Sequence, residues 1–299
     1  MYTNAHTHLE LSALAELCPT GQEFGAWLQT MLARRMQLDN ATLERGIHSA
    51  IEQLHHNQTT TVGDISATRL SIGPLLNSGL AGVVYLEVLG FDPDVASQRF
   101  SAAQREIDSW RQRETAMKIG LSIHAPYSCA PSLFEAAARW CQDEALPLAI
   151  HIAESPAEVA FLQQGIGALR ELNRRITPHI EWQAPQCSPI AYLEQLGVLE
   201  AQPVLIHAIQ VDADDLALIA KYDCAVVHCP RSNHNLLCGR MPLEQMLARG
   251  IRVGLGTDSL TSAQSLDMRD EISFAQQLHA YKVEPALIEQ LATQATILS

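Results

Sequence analysis

Short apolar runs rich in Val, Ile and Leu recur along the chain without the strict alternation of a half-buried strand. After an opening segment containing NAHTHLELS (4–12) come TTTVGDIS (59–66), AGVVYLEVLG (81–90), KIGLSIHAPYS (118–128), PLAIHIAES (147–155), PVLIHAIQV (203–211), CAVVHCPRSN (224–233) and RVGLGTDS (252–259). Runs of this kind read as strands buried on both faces, as in a parallel sheet. Stretches with helical spacing lie between them, among them SLFEAAARWCQDEA and DADDLALIAKY. Pro131 and Ser132 suit a helix start, and Asp212 suits an N-cap. Eight such runs alternating with helices over about 250 residues predict a (β/α)8 TIM barrel. An open doubly wound sheet is the alternative, but the G-x-G-x-x-G turn it would carry after the first run is absent. One barrel domain over residues 1–299 is expected. The first run begins almost at Met1, and LATQATILS at the end reads as part of an uncapped helix.

Polar residues interrupt these runs at one place, the C-terminal end, where a barrel of this kind carries its chemistry. His6 and His8 end the first run, Asp64 the second, Glu87 the third and His124 the fourth. His151, His207, His228 and Asp258 end the remaining four. A hydrogen-bonded core histidine explains one such residue, but not the repetition. In H-x-H the two side chains of a strand point to one face, so the imidazoles of His6 and His8 converge. Two such histidines, one from the far wall and one carboxylate form a three-nitrogen, one-oxygen shell. That shell suits one Zn²⁺, and Fe²⁺ would also be accepted. A metal held this way acidifies a bound water into a nucleophile. A bridged two-metal site would want a lysine at the end of the fourth or fifth run, and neither has one. Glu154, three residues after His151, is placed to move a proton between water and leaving group. Asp258 could bind the metal and accept a proton, and His207 could hold the water or a developing oxyanion.

Composition narrows the setting. The 299 residues are 47% hydrophobic and 18% charged, and no apolar run approaches a membrane span. No signal-peptide pattern opens the chain, and seven cysteines without a C-x-x-C pair suggest reduced thiols, so a cytoplasmic location is expected. A formal charge of −13 argues against nucleic-acid partners. A small-molecule substrate is expected, with no membrane partner and with a homodimer as the oligomeric form to consider. The combined H-x-E and P-C-x-x-C signature of cytidine-type deaminases is absent, as are H-E-x-x-H and G-x-S-x-G.

Taken together, NAHTHLELS, SIHAPYSCAP, HIAES, VLIHA, HCPRSNHNL and GLGTDSLTS resemble the amidohydrolase superfamily, in order from residue 4 to about residue 275. Within it they are most similar to the metal-dependent deaminase branch: aminodeoxyfutalosine deaminase-like members first, then enzymes acting on S-adenosylhomocysteine or methylthioadenosine, beside chlorohydrolase-like relatives. The resemblance implies one Zn²⁺ or Fe²⁺ on His6, His8, His151 and Asp258, with Glu154 as proton shuttle and His207 orienting water. It implies that His124, Tyr127, Ser232 and Asn233 face the substrate. It also implies that FGAWLQTMLARR forms a lid offering Phe24, Trp27 and Arg35, although the spacing of Phe24, Trp27 and Met31 by itself reads as packed core. The reaction implied is removal of an exocyclic amine from an adenine-type nucleoside or related heterocycle. The same machinery acting on a C–Cl, amide or ring C–N bond is the alternative, and a truncated, inactive metal-binding module is the third reading. Members usually carry a small β-sandwich outside the barrel, and this chain is expected to lack it.

Overall fold

The computed structural model describes residues 1–298. Its eight strands run parallel in chain order: β1 (Tyr2–Thr7), β2 (Thr59–Ser66), β3 (Ala81–Val88), β4 (Met117–Ile123), β5 (Leu148–Ile152), β6 (Val204–His207), β7 (Val226–His228) and β8 (Val253–Leu255). The ring closes where Thr7 bridges to Asp258 and the Asp258 N–H donates to the His6 carbonyl at 2.9 Å. Closure needs a bare backbone at Gly256, because a Cβ there would stand 2.7 Å from His6 N. This is the predicted TIM barrel, and among the described residues its sheet is the one present.

Apolar side chains on the outer strand faces and the inner helix faces form the largest core layer, including Val84, Leu121, Ile150, Leu205 and Val226. Inside the barrel Ala5, Ile65, Tyr85, Ala149, Ile206 and Val227 pack with Ile297 and Leu298. The chain end therefore differs from the uncapped helix expected of it. Helix Pro285–Leu291 stops, and Ala295–Leu298 form a 3-10 turn whose buried Ile297 and Leu298 join the barrel interior. Burying these side chains outweighs one more helical turn.

Helix starts follow the expected chemistry. Pro131 opens the helix Pro131–Glu144, and Asp212 caps Ala213–Lys221 in a capping box with Asp215. All seven cysteines are free, and six are buried. No described helix is long and apolar enough to cross a membrane.

Candidate active site

The strands are shorter than the apolar runs, so several predicted residues stand just beyond strand ends. His6 lies on β1, whereas His8 follows it at the entrance to the 3-10 turn Leu9–Leu14. Asp64 holds this bend: its carboxylate accepts from the Thr7 hydroxyl at 2.9 Å, the Leu9 N–H at 2.8 Å and the Ser71 hydroxyl at 2.7 Å. The His6 and His8 rings are 4.8 Å apart between centroids, nearly perpendicular.

His151, on β5, completes a cluster with them. Its Nε2 is 3.1 Å from His8 Nε2, and its ring centroid is 5.0 Å from that of His6. Asp258 Oδ1 is 3.4 Å from His6 Nε2 and 3.7 Å from His8 Nε2. The other oxygen, Oδ2, accepts from the Ser232 hydroxyl at 2.6 Å and the Ser262 hydroxyl at 3.0 Å. Oδ1 is thereby left facing the imidazoles.

The donor set fits a divalent cation. His6 Nε2 is buried without a hydrogen-bond partner, and between His8 Nε2 and His151 Nε2 at most one proton can lie. A cation would satisfy all three nitrogens and Oδ1 together. The imidazoles of His8 and His151 are held neutral, as ligands must be. Burial, then neighbouring His6, pushes His8 down to about 3, and burial followed by the other imidazoles holds His151 well below its usual range.

Glu154 stands beside this cluster, buried, with Oε1 3.4 Å from His207 Nε2. Burial, then the charges of Asp258 and Glu158, raises Glu154 well above the ordinary carboxyl range. Burial pushes His207 down to about 4. Backbone strain concentrates here: Ala153, His207 and Asp258 all have positive φ, at 51°, 75° and 60°.

The cluster opens on a largely apolar cavity of about 740 Å³, lined among others by His8, Met31, Arg35, Phe91, His124 and Tyr127. His124 is fixed by a 2.6 Å hydrogen bond between its Nδ1 and Ser128 Oγ. Leu28, Met31 and Leu32 of the helix Phe24–Arg35 line the cavity, while Trp27 is buried in the apolar cluster that includes Phe24 and Tyr127. Ser232 and Asn233 are fully buried. Ser232 binds Asp258, and the Asn233 amide lies 2.9 Å from His207 Nδ1 and 3.4 Å from His228 Nδ1.

Two functional features escaped the sequence reading. Glu158 accepts from the Ala153 and Glu154 N–H groups, both at 2.9 Å, and so fixes the loop that carries Glu154. The S-x-x-E spacing from Ser155 to Glu158 was the available signal. The other is His279, fully buried at the end of helix Met268–Leu278, with Nε2 3.0 Å from His228 Nε2. No local pattern marks it.

The amidohydrolase family model matches residues 2–297. The aminodeoxyfutalosine deaminase of Deinococcus radiodurans is 37% identical over 290 residues, which cover 92% of this chain and 67% of that protein. In shape the chain is similar to Helicobacter pylori aminofutalosine deaminase in complex with methylthio-coformycin, with TM-score 0.83, 24% identity and coverage of 97% and 70%. It is also similar to an adenosine deaminase from Xanthomonas campestris with bound zinc, with TM-score 0.84, 22% identity and coverage of 99% and 66%. The chain thus spans about two thirds of the length of these relatives. A match over nearly every residue, carried by this fold, makes the chain a member of the amidohydrolase family.

Proposed function

We propose that the protein is a metal-dependent hydrolytic deaminase of adenine-type nucleosides, with an aminodeoxyfutalosine-like substrate favoured by its likeness to the Deinococcus protein. The observation that carries this reading is the convergence of His6, His8, His151 and Asp258 beside a buried Glu154. Those four residues would hold the cation, Zn²⁺ before Fe²⁺ given three imidazoles and one carboxylate. When bound, the ion supplies an acidified water and compensates developing negative charge.

The chain's own groups do the rest. Glu154, whose carboxyl burial raises well above its ordinary range, would deliver a proton to the ring nitrogen beside the amine-bearing carbon. Oδ1 of Asp258 accepts a proton from the attacking water, because Oδ2 is occupied by Ser232 and Ser262. His207 contributes a hydrogen bond at the reacting oxygen. Water oxygen replaces the amine, which leaves as ammonia. Of the two water protons, one leaves with the ammonia and the other restores Glu154. His124 and Tyr127 line the cavity where the ring would lie, and the apolar wall from Leu28 to Leu32 would cover it. Seven unpaired cysteines support a reducing, cytoplasmic setting.

The test is ammonia release by metal-loaded protein from a panel of adenosine, methylthioadenosine, S-adenosylhomocysteine, aminodeoxyfutalosine, guanine and chlorinated triazines. Ammonia from one of the adenine-type nucleosides is expected. Chloride release from the triazines alone would instead favour the chlorohydrolase-like alternative. Metal binding without any turnover would favour an inactive module.

A further inference from the structure

Behind His207 a line of hydrogen-bonding groups runs out of the site and ends on an arginine. The Asn233 amide separates His207 Nδ1 from His228 Nδ1. His228 Nε2 faces His279 Nε2 at 3.0 Å, and His279 Nδ1 faces Arg240 Nη2 at 2.8 Å. Arg240 is itself pinned. Its Nη1 and Nη2 donate to Glu244 at 3.1 and 2.8 Å, and its Nε donates to the Leu278 carbonyl at 3.2 Å. Lys282 holds Glu244 from the other side at 3.2 Å.

We infer that Arg240 sets which nitrogen of His207 carries its proton, through His279, His228 and Asn233, so that His207 presents Nε2–H to the reacting groups. The reasoning is a count of protons. A guanidinium has donors and no acceptor, so His279 Nδ1 must accept. A neutral His279 then carries its proton on Nε2 and donates it to His228 Nε2. His228, accepting there, carries its proton on Nδ1 and needs an acceptor in Asn233. The amide therefore turns Oδ1 toward His228 and donates from Nδ2 to His207 Nδ1. His207 is left with its proton on Nε2, facing Glu154 Oε1 at 3.4 Å.

The opposite orientation fails. The structure places the amide in this opposite way, with Oδ1 2.9 Å from His207 Nδ1 and Nδ2 3.4 Å from His228 Nδ1; every proton in the line then reverses, and His279 Nδ1–H meets the Arg240 donor at 2.8 Å. Amide oxygen and nitrogen have the same shape, so hydrogen bonding alone chooses between the two arrangements. Protonating His228 or His279 a second time does not help, since each would lose a nitrogen that has to accept. Arg240 is thus a positioning residue, acting through three intermediates and touching no substrate. The proton assignment stands apart from the proposed reaction; only its catalytic consequence rests on that reading.

The experiment is long-range ¹H–¹⁵N correlation spectroscopy of the metal-loaded, histidine-¹⁵N-labelled full chain, with signals assigned by single substitutions. His279 and His207 are expected as Nε2–H tautomers and His228 as the Nδ1–H tautomer. His207 found as Nδ1–H in the wild-type chain would overturn the inference, whatever the turnover. Arg240→Met should free His279 Nδ1 and give His207 mixed tautomers, with kcat down about tenfold and KM within about twofold. Arg240→Lys, still a donor without an acceptor, should restore the single tautomer. A stability loss in Arg240→Met with the His207 tautomer unchanged would leave Arg240 a structural role only and refute the proposal. Should Arg240→Met not fold, the wild-type spectrum decides alone.

Discussion

His8 Nε2 and His151 Nε2 stand 3.1 Å apart, carried by opposite sides of the barrel, with room for one proton between them. That proton satisfies the pair, whereas His6 Nε2 nearby is buried without a hydrogen-bond partner. A bound cation would give His6 Nε2 the partner it lacks and replace the shared proton between the other two nitrogens. Stoichiometric Zn²⁺ should therefore stabilise the fold. At a thousandfold excess over Kd the gain is about 4 kcal/mol, a rise in Tm on the order of 8 °C for a chain of this size. Thermal melts with and without chelator check this, beside elemental analysis for one metal per chain.

Glu154→Gln keeps the shape of the side chain but removes its ability to exchange a proton. Turnover should fall by about 10²–10⁴-fold. Metal content should not change, because Glu154 contributes to none of the metal-holding groups. Retained activity would remove Glu154 from the proton path.

Asp64 holds the backbone that carries His8, a proposed metal ligand, by taking hydrogen bonds from Thr7, Leu9 and Ser71. Asp64→Ala strands the Leu9 N–H and the Ser71 hydroxyl, leaves the Thr7 hydroxyl only the Gly63 carbonyl, and loosens the bend after β1. Metal affinity should drop by about 10–100-fold, measured by competition with a chromogenic chelator. Stability should drop as well, by roughly 2–3 kcal/mol.

Glu244 provides a pH-dependent term. Burial alone would raise its pKa, but hydrogen bonds from Arg240 and Lys282 bring it from 4.5 down to about 2. The folded value lies below the unfolded one. The stabilisation is therefore complete above the unfolded pKa and is lost as pH falls through about 2. Glu244→Gln should cost on the order of 1–2 kcal/mol at pH 7 and almost nothing near pH 2. Urea denaturation of both chains across that range measures the difference.

Much of this molecule is readable from local pattern. The run TTTVGDIS is β2 residue for residue, and every other run overlaps its strand and extends past its C-terminal end, although β1 and β4 begin slightly before their runs. The polar residues gather at the strand ends and just beyond them, and for that reason the H-x-H pair, His151, Glu154, His207 and Asp258 stand out in the sequence as candidates. Period and composition suffice for this, since a strand buried on both faces must be apolar and its polar end must have a reason.

What the barrel alone decided is which of these ends meet and what stands behind them. His228 and His279 are 51 residues apart in sequence, and Asn4 and Thr257 are 253 apart. Nothing in the chain near His279 distinguishes it from a surface histidine at a helix end. Likewise the last turn reads as helix until Ile297 and Leu298 find the barrel interior. Hydrophobic periodicity is a short-range property of the chain, written within a few residues. Hydrogen-bond partners for buried nitrogens are supplied by whatever closure brings near, and that is settled only when the eighth strand returns to the first.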